Sequence, residues 1–131
     1  MQARKLKVLI VDDEPVIADT LTKIVRQRGY ECELAYDGLS AVEIARRIRP
    51  QFILMNMEMP RMGGPSAAAV ILNEQPDCQV VFTSGRRESE RFLDTLRQRG
   101  YAFGFELSPL HPALLLEKLD ALEALQANDG E

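Results

Sequence analysis

Short apolar runs recur along this 131-residue chain at intervals that suit an alternation of strand and helix. The runs are "KVLIV" (7–11), "FILM" (Phe52 to Met55), "CQVVFTS" (78–84) and "AFGFEL" (102–107), the last interrupted by Gly104, and "ECELAY" (31–36) alternates like a further strand. Between them the apolar period changes from continuous to helical. Ile17, Leu21, Ile24 and Val25 form one stripe after Glu14-Pro15, with Gly29 as the stop. Ala41, Ile44, Ala45 and Ile48 form another, opened by Asp37 as N-cap and closed before Pro50. Further helices are predicted over Pro65 to Glu74, over 88–100 with Phe92, Leu93 and Leu96 inward and Gly100 as the stop, and from Pro112 to Ala127. Five strands alternating with five helices predict one doubly wound parallel sheet, ordered 2-1-3-4-5.

The length suits a single domain, read as 1–127 with a polar tail or the start of a linker at 128–131. A formal net charge of -4 and a pI near 5.1 argue against a nucleic-acid footprint. Near the N-terminus the apolar run is only Val8 to Val11, too short for a signal peptide or a membrane span, so a cytoplasmic protein is expected. Cys32 and Cys78 have no metal-site spacing and read as small buried hydrophobes.

Function is expected at the C-terminal ends of the strands, where open parallel sheets carry their sites. The residues there are Asp12 and Asp13, Asn56, Thr83 and Ser84, and Ser108. Two adjacent carboxylates attract a hard divalent cation such as Mg²⁺. The plainer reading is that one of them only caps the helix beginning at Glu14. Asn56 poses the central question, because a carboxamide is neither a good nucleophile nor a good metal ligand.

"VLIVDDEP", "FILMNMEMPRMGG", "VVFTSG" and "GFELSP", in that order, resemble the receiver domain of two-component response regulators, a flavodoxin-like fold. The resemblance covers the chain from Lys5 to about Leu125. It implies a phosphoryl-accepting aspartate at the end of strand 3, an acidic pair that helps it hold Mg²⁺, a strand-4 hydroxyl and a strand-5 lysine that meet the phosphoryl group. Asp12 and Asp13 match the acidic pair, and Thr83 matches the switch hydroxyl. Phe105 matches the aromatic whose rotamer follows activation, and Glu58 the position that offers the metal a backbone carbonyl.

Two positions depart from the pattern. Asn56 stands where the acceptor aspartate belongs, and Ser108 where the lysine belongs. Phosphoryl transfer needs an oxygen nucleophile and cationic charge around the moving group. The chain therefore resembles a pseudo-receiver in which aspartyl phosphorylation is lost, with no cofactor required and at most weak Mg²⁺ binding by Asp12, Asp13 and Glu58. Losing an aspartate and a lysine together leaves the formal pocket charge at -2, the value of the family's usual set, which a single engineered change would not do.

Such a domain is expected to act as a binding module rather than an enzyme. The family's partner face is built from helix 4, strand 5 and helix 5. In this sequence Arg87, Arg91, Asp94 and Arg97 would rim it. Leu115, Leu119 and Leu122, with Leu116 on the flank, read as core, while Leu114, Ala121 and Leu125 form a second apolar line. That line is either part of a wide buried face or a stripe for a protein partner or a second copy. No nucleic-acid or membrane contact is expected. Three alternatives stay open: a phosphoacceptor at Ser84, Ser108 or Thr83, a sensor of a small anion or cation, and a piece of a longer regulator. His111, before the last helix, reads as a surface loop residue.

Overall fold

Val8–Val11 and Phe52–Met55 are buried at every residue, as strands covered by helices on both faces must be. The computed structural model describes residues 6–129; Lys5 and the end of the expected polar tail, residues 130–131, lie outside them. Strands β1 (Lys7–Val11), β2 (Glu31–Ala35), β3 (Phe52–Asn56), β4 (Gln79–Ser84) and β5 (Phe103–Leu107) make one parallel sheet in the order β2-β1-β3-β4-β5. The helices are α1 (Pro15–Gln27), α2 (Gly38–Ile48), α3 (Gly64–Glu74), α4 (Asp94–Gln98) and α5 (Pro112–Asp129).

The alternation of side chains along each strand divides the core in two. Leu9, Val11, Ile53, Met55, Val80 and Phe82 face Ala41, Ala45, Ala67, Ala68, Ile71, Leu93 and Leu96. Val8, Ile10, Phe52, Leu54 and Val81 face Leu21, Val25, Leu115 and Leu119. Helices α2, α3 and α4 thus cover one face, and α1 and α5 the other. Asp37 caps α2 as expected, its side chain accepting the Ser40 N–H at 2.8 Å. That bond is the largest cause holding the Asp37 carboxyl below its ordinary value. Burial pushes the thiols of Cys32 and Cys78 up to about 12, as inert buried cysteines should be.

Three expectations change. The helix predicted over 88–100 is instead a 3₁₀ segment, Arg87–Leu93, followed by the single-turn α4. Four of the seven residues in "RESERFL" are charged, so the segment is anchored by buried Leu93 and Ser89, and Phe92 turns outward to 58% exposure with Arg91 stacked 5.2 Å from its ring. Gly104 does not interrupt β5; it pairs with Val81, and a Cβ there would lie 3.3 Å from a Val81 methyl. Helix α5 runs two residues beyond Ala127, and its second apolar line divides: Leu114 packs at the margin of the core, while Ala121 and Leu125 are exposed.

Candidate functional site

The register of the sheet brings the residues named from sequence to one edge. Asn56 ends β3 directly opposite Thr83 on β4, and the Met57 N–H donates to the Thr83 carbonyl at 2.9 Å. Asp12 leaves β1 with its N–H on the Ala35 carbonyl at 3.1 Å, and Ser108 leaves β5 with its N–H on the Ser84 carbonyl at 2.8 Å. Gly64, the first residue of α3, lets that helix approach the site. Its N–H donates to the Met57 carbonyl at 2.9 Å, and a Cβ on it would lie 2.3 Å from the Asn56 carbonyl oxygen.

The acidic residues are each engaged by a donor of the protein. Asp12, 6% exposed, accepts the Glu14 N–H at 2.9 Å. Asn56 Nδ2 donates to Asp13 Oδ1 at 3.0 Å and to the Glu58 carbonyl at 3.3 Å, while its Oδ1 faces the Glu58 N–H at 3.4 Å. The Glu58 carboxylate accepts the Ser84 hydroxyl at 2.8 Å, and Ser84 Oγ in turn accepts the Arg86 N–H at 3.1 Å. Ser84 is fully buried and Thr83 nearly so, whereas Ser108 and Phe105 are half-buried and Asp13 and Glu58 are exposed.

The structure brings these residues to one edge and adds two bonds that the sequence pattern does not show: the Glu58 carboxylate is engaged as well as its carbonyl, and Ser84 ties the β3–α3 loop to the start of the 3₁₀ segment. A hydroxyl beside Thr83, at a strand end certain to be buried, was the available signal. Lys118 holds Glu106 at 3.1 Å. Surface hollows of about 420 and 490 Å³ lie elsewhere, one lined by Lys7, Arg26, Tyr30 and Arg47, the other along α1 and Leu34.

Of the residues expected at a partner face, Arg97 bonds Asp94 and Glu90 and lies 4.9 Å from the Phe103 ring. Arg87 and Arg91 are exposed, as are Phe92, Leu107 and Leu125. His111 Nδ1 accepts the Ala113 N–H at 3.0 Å, which makes it a helix-capping residue of α5.

Burial raises the Asp12 carboxyl above its ordinary value, the Glu14 N–H opposes this, and the charges of Asp13 and Glu14 add to the rise. An acid whose value rises on folding loses stability as pH climbs through the carboxylate range, because the unfolded chain ionises first. Asp12→Asn keeps the acceptor for Glu14 and removes the charge. Its urea midpoint is expected to exceed the natural protein's at neutral pH, with the gain shrinking below the ordinary carboxylate range. A lower midpoint at neutral pH would contradict this.

Residues 8–120 match the family model described as the response regulator receiver domain. The chain is 34% identical over 128 residues to the transcriptional regulatory protein PdtaR of Mycobacterium tuberculosis, covering 95% of this chain and 62% of that one. It is 31% identical over 131 residues to the DNA-binding response regulator MtrA of Mycolicibacterium smegmatis, covering 100% of this chain and 55% of that one. The chain thus spans less than two thirds of these curated relatives. Its fold is that of a CheY-like receiver domain protein from Methanospirillum hungatei, with a TM-score of 0.82, 23% identity, and 95% and 98% of the two chains covered.

Proposed function

The chain belongs to the response regulator receiver family, and we propose that it is a receiver that signals through protein contacts without phosphorylation at strand 3. One observation carries the reading. The side chain at the end of β3 is a carboxamide already bonded as a donor to Asp13, so the position holds no carboxylate to attack phosphorus. Ser108 places no cation beside it to absorb phosphoryl charge. The domain is then a non-enzymatic module of two-component signalling, working in the cytoplasm. Among its described residues no helix is long and apolar enough to cross a membrane.

The surface that would meet a protein partner is the one formed by the 3₁₀ segment, β5 and α5. Arg87, Arg91 and Arg97 supply charge there, and exposed Phe92, Leu107 and Leu125 supply apolar area. Leu114 backs that surface from the margin of the core. A second copy of the chain is one occupant this face would admit. Phosphate acceptance at Ser84 or Thr83 is opposed by their burial, and at Ser84 also by the bond its hydroxyl already makes to Glu58.

Beryllofluoride, a tetrahedral phosphoryl mimic that adds to carboxylate oxygen, tests this reading through amide NMR shifts. With Mg²⁺ present, the amides of Asn56, Thr83, Phe105 and Ser108 are expected to stay in place in the natural protein. They are expected to move in an Asn56→Asp, Ser108→Lys double variant. Saturable shifts of the same amides in the natural protein would overturn the proposal.

A further inference from the structure

A receiver's acidic pocket needs something positive at its centre, because two carboxylates at one strand mouth repel each other. Mg²⁺ would have to meet oxygen atoms turned inward in near-octahedral geometry. This pocket instead turns an N–H or O–H hydrogen onto one oxygen of each of its acidic side chains. Asp12 receives the Glu14 N–H, Asp13 the Asn56 amide, the Glu58 carbonyl the same amide, and the Glu58 carboxylate the Ser84 hydroxyl. The amide nitrogen of Asn56 carries no lone pair available for a metal, and its oxygen is turned toward the Glu58 N–H. Among the described residues no three His, Cys, Asp or Glu side chains gather where they could hold a metal ion.

We infer that the Asn56 carboxamide occupies the place of the divalent cation: its two N–H bonds bridge Asp13 to the β3–α3 loop, and the pocket is complete without metal. The donor set present does not fit Mg²⁺. This deepens the phosphorylation-independent reading and rests on the same substitution at position 56, but it concerns metal rather than phosphate and can fail separately. Glu58, held by Ser84 rather than free in the pocket, is withdrawn from metal binding by the same network.

The test is a Mg²⁺ titration of the natural protein, of Asn56→Asp and of Asn56→Ala, read by calorimetry and by thermal unfolding, with no phosphodonor present. The natural protein is expected to bind Mg²⁺ at millimolar levels or weaker and to keep its melting temperature across the titration. Asn56→Ala removes the bridge, so its melting temperature is expected to start lower and to rise with Mg²⁺. Asn56→Asp is expected to bind at least about tenfold more tightly than the natural protein. A submillimolar dissociation constant for the natural protein would overturn the inference, as would an Asn56→Ala variant as indifferent to Mg²⁺ as its parent. Neither result would touch phosphorylation, which is read by a change in mass.

Discussion

Phe82→Ala is expected to lower the unfolding free energy by about 3–5 kcal/mol, a large part of the roughly 5–15 kcal/mol that holds a domain together. Phe82 is 0% exposed and lies in β4, with Met55 of β3 on one side and Phe105 of β5 on the other. Its ring meets Phe103 edge-on, with centroids 5.4 Å apart and planes at 83°. Truncation leaves a cavity between the sheet and the helices over it, where α3, the 3₁₀ segment and α4 are fixed by Ile71, Leu93 and Leu96. The change also falls one residue before Thr83, so it loosens the strand edge that sets Asn56 opposite Thr83. Urea unfolding checks it: the midpoint should fall with an unchanged slope. A loss below about 1 kcal/mol would mean the site collapses onto the gap, and that the close packing described for this face is not what holds it.

The inner strands β1, β3 and β4 were legible because they are buried on both faces, which writes them as nearly unbroken apolar runs that periodicity separates cleanly from amphipathic helices. The caps were legible for a local reason: Asp37 and Gly29 act on backbone within a few residues of themselves. Gly29 takes a φ of 103° and Gly100 one of 86°, the left-handed conformation expected of a helix-ending glycine. The segment Arg87–Leu93 was not legible. With so many charged residues, its winding depends on which of Phe92 and Leu93 the core admits, and that choice is made by Phe82, Leu96 and the sheet rather than by neighbours in sequence.

The site divides in the same way. That Asp12, Asp13, Asn56, Thr83 and Ser108 share one edge follows from topology alone, once strands are ordered. What their atoms do there does not. Whether Asn56 presents oxygen or nitrogen to Asp13 depends on the Glu58 N–H and carbonyl beyond it, and whether Glu58 enters the pocket depends on Ser84, 26 residues away. These are long-range contacts between single polar atoms, and no periodicity encodes them. On α5 the spacing named Leu115 and Leu119 correctly as core. It could not divide Leu114 from Leu125, because that depends on how far the sheet extends beneath the helix.

The second large effect concerns chemistry rather than stability. Asn56→Asp with Ser108→Lys restores a carboxylate nucleophile at the end of β3 and a long cationic side chain at the end of β5. The backbone that would present them is already in place, since Ser108 is tied to Ser84 and Met57 to Thr83. Asp12 and Asp13, released from the amide, would then be free to share a cation with the new aspartate. The variant is expected to go from no detectable phosphorylation to a stoichiometric acyl phosphate, lost on heating in acid or alkali as a phosphate ester of serine or threonine would not be. That effect is qualitative, because the natural side chain has no carboxylate to form the bond.

Intact mass after incubation with acetyl phosphate and Mg²⁺ tests the central claim most directly, with the natural protein and the double variant side by side. The natural protein is expected to keep its mass while the variant gains one phosphoryl group. A phosphoryl gain on the natural protein would contradict the account.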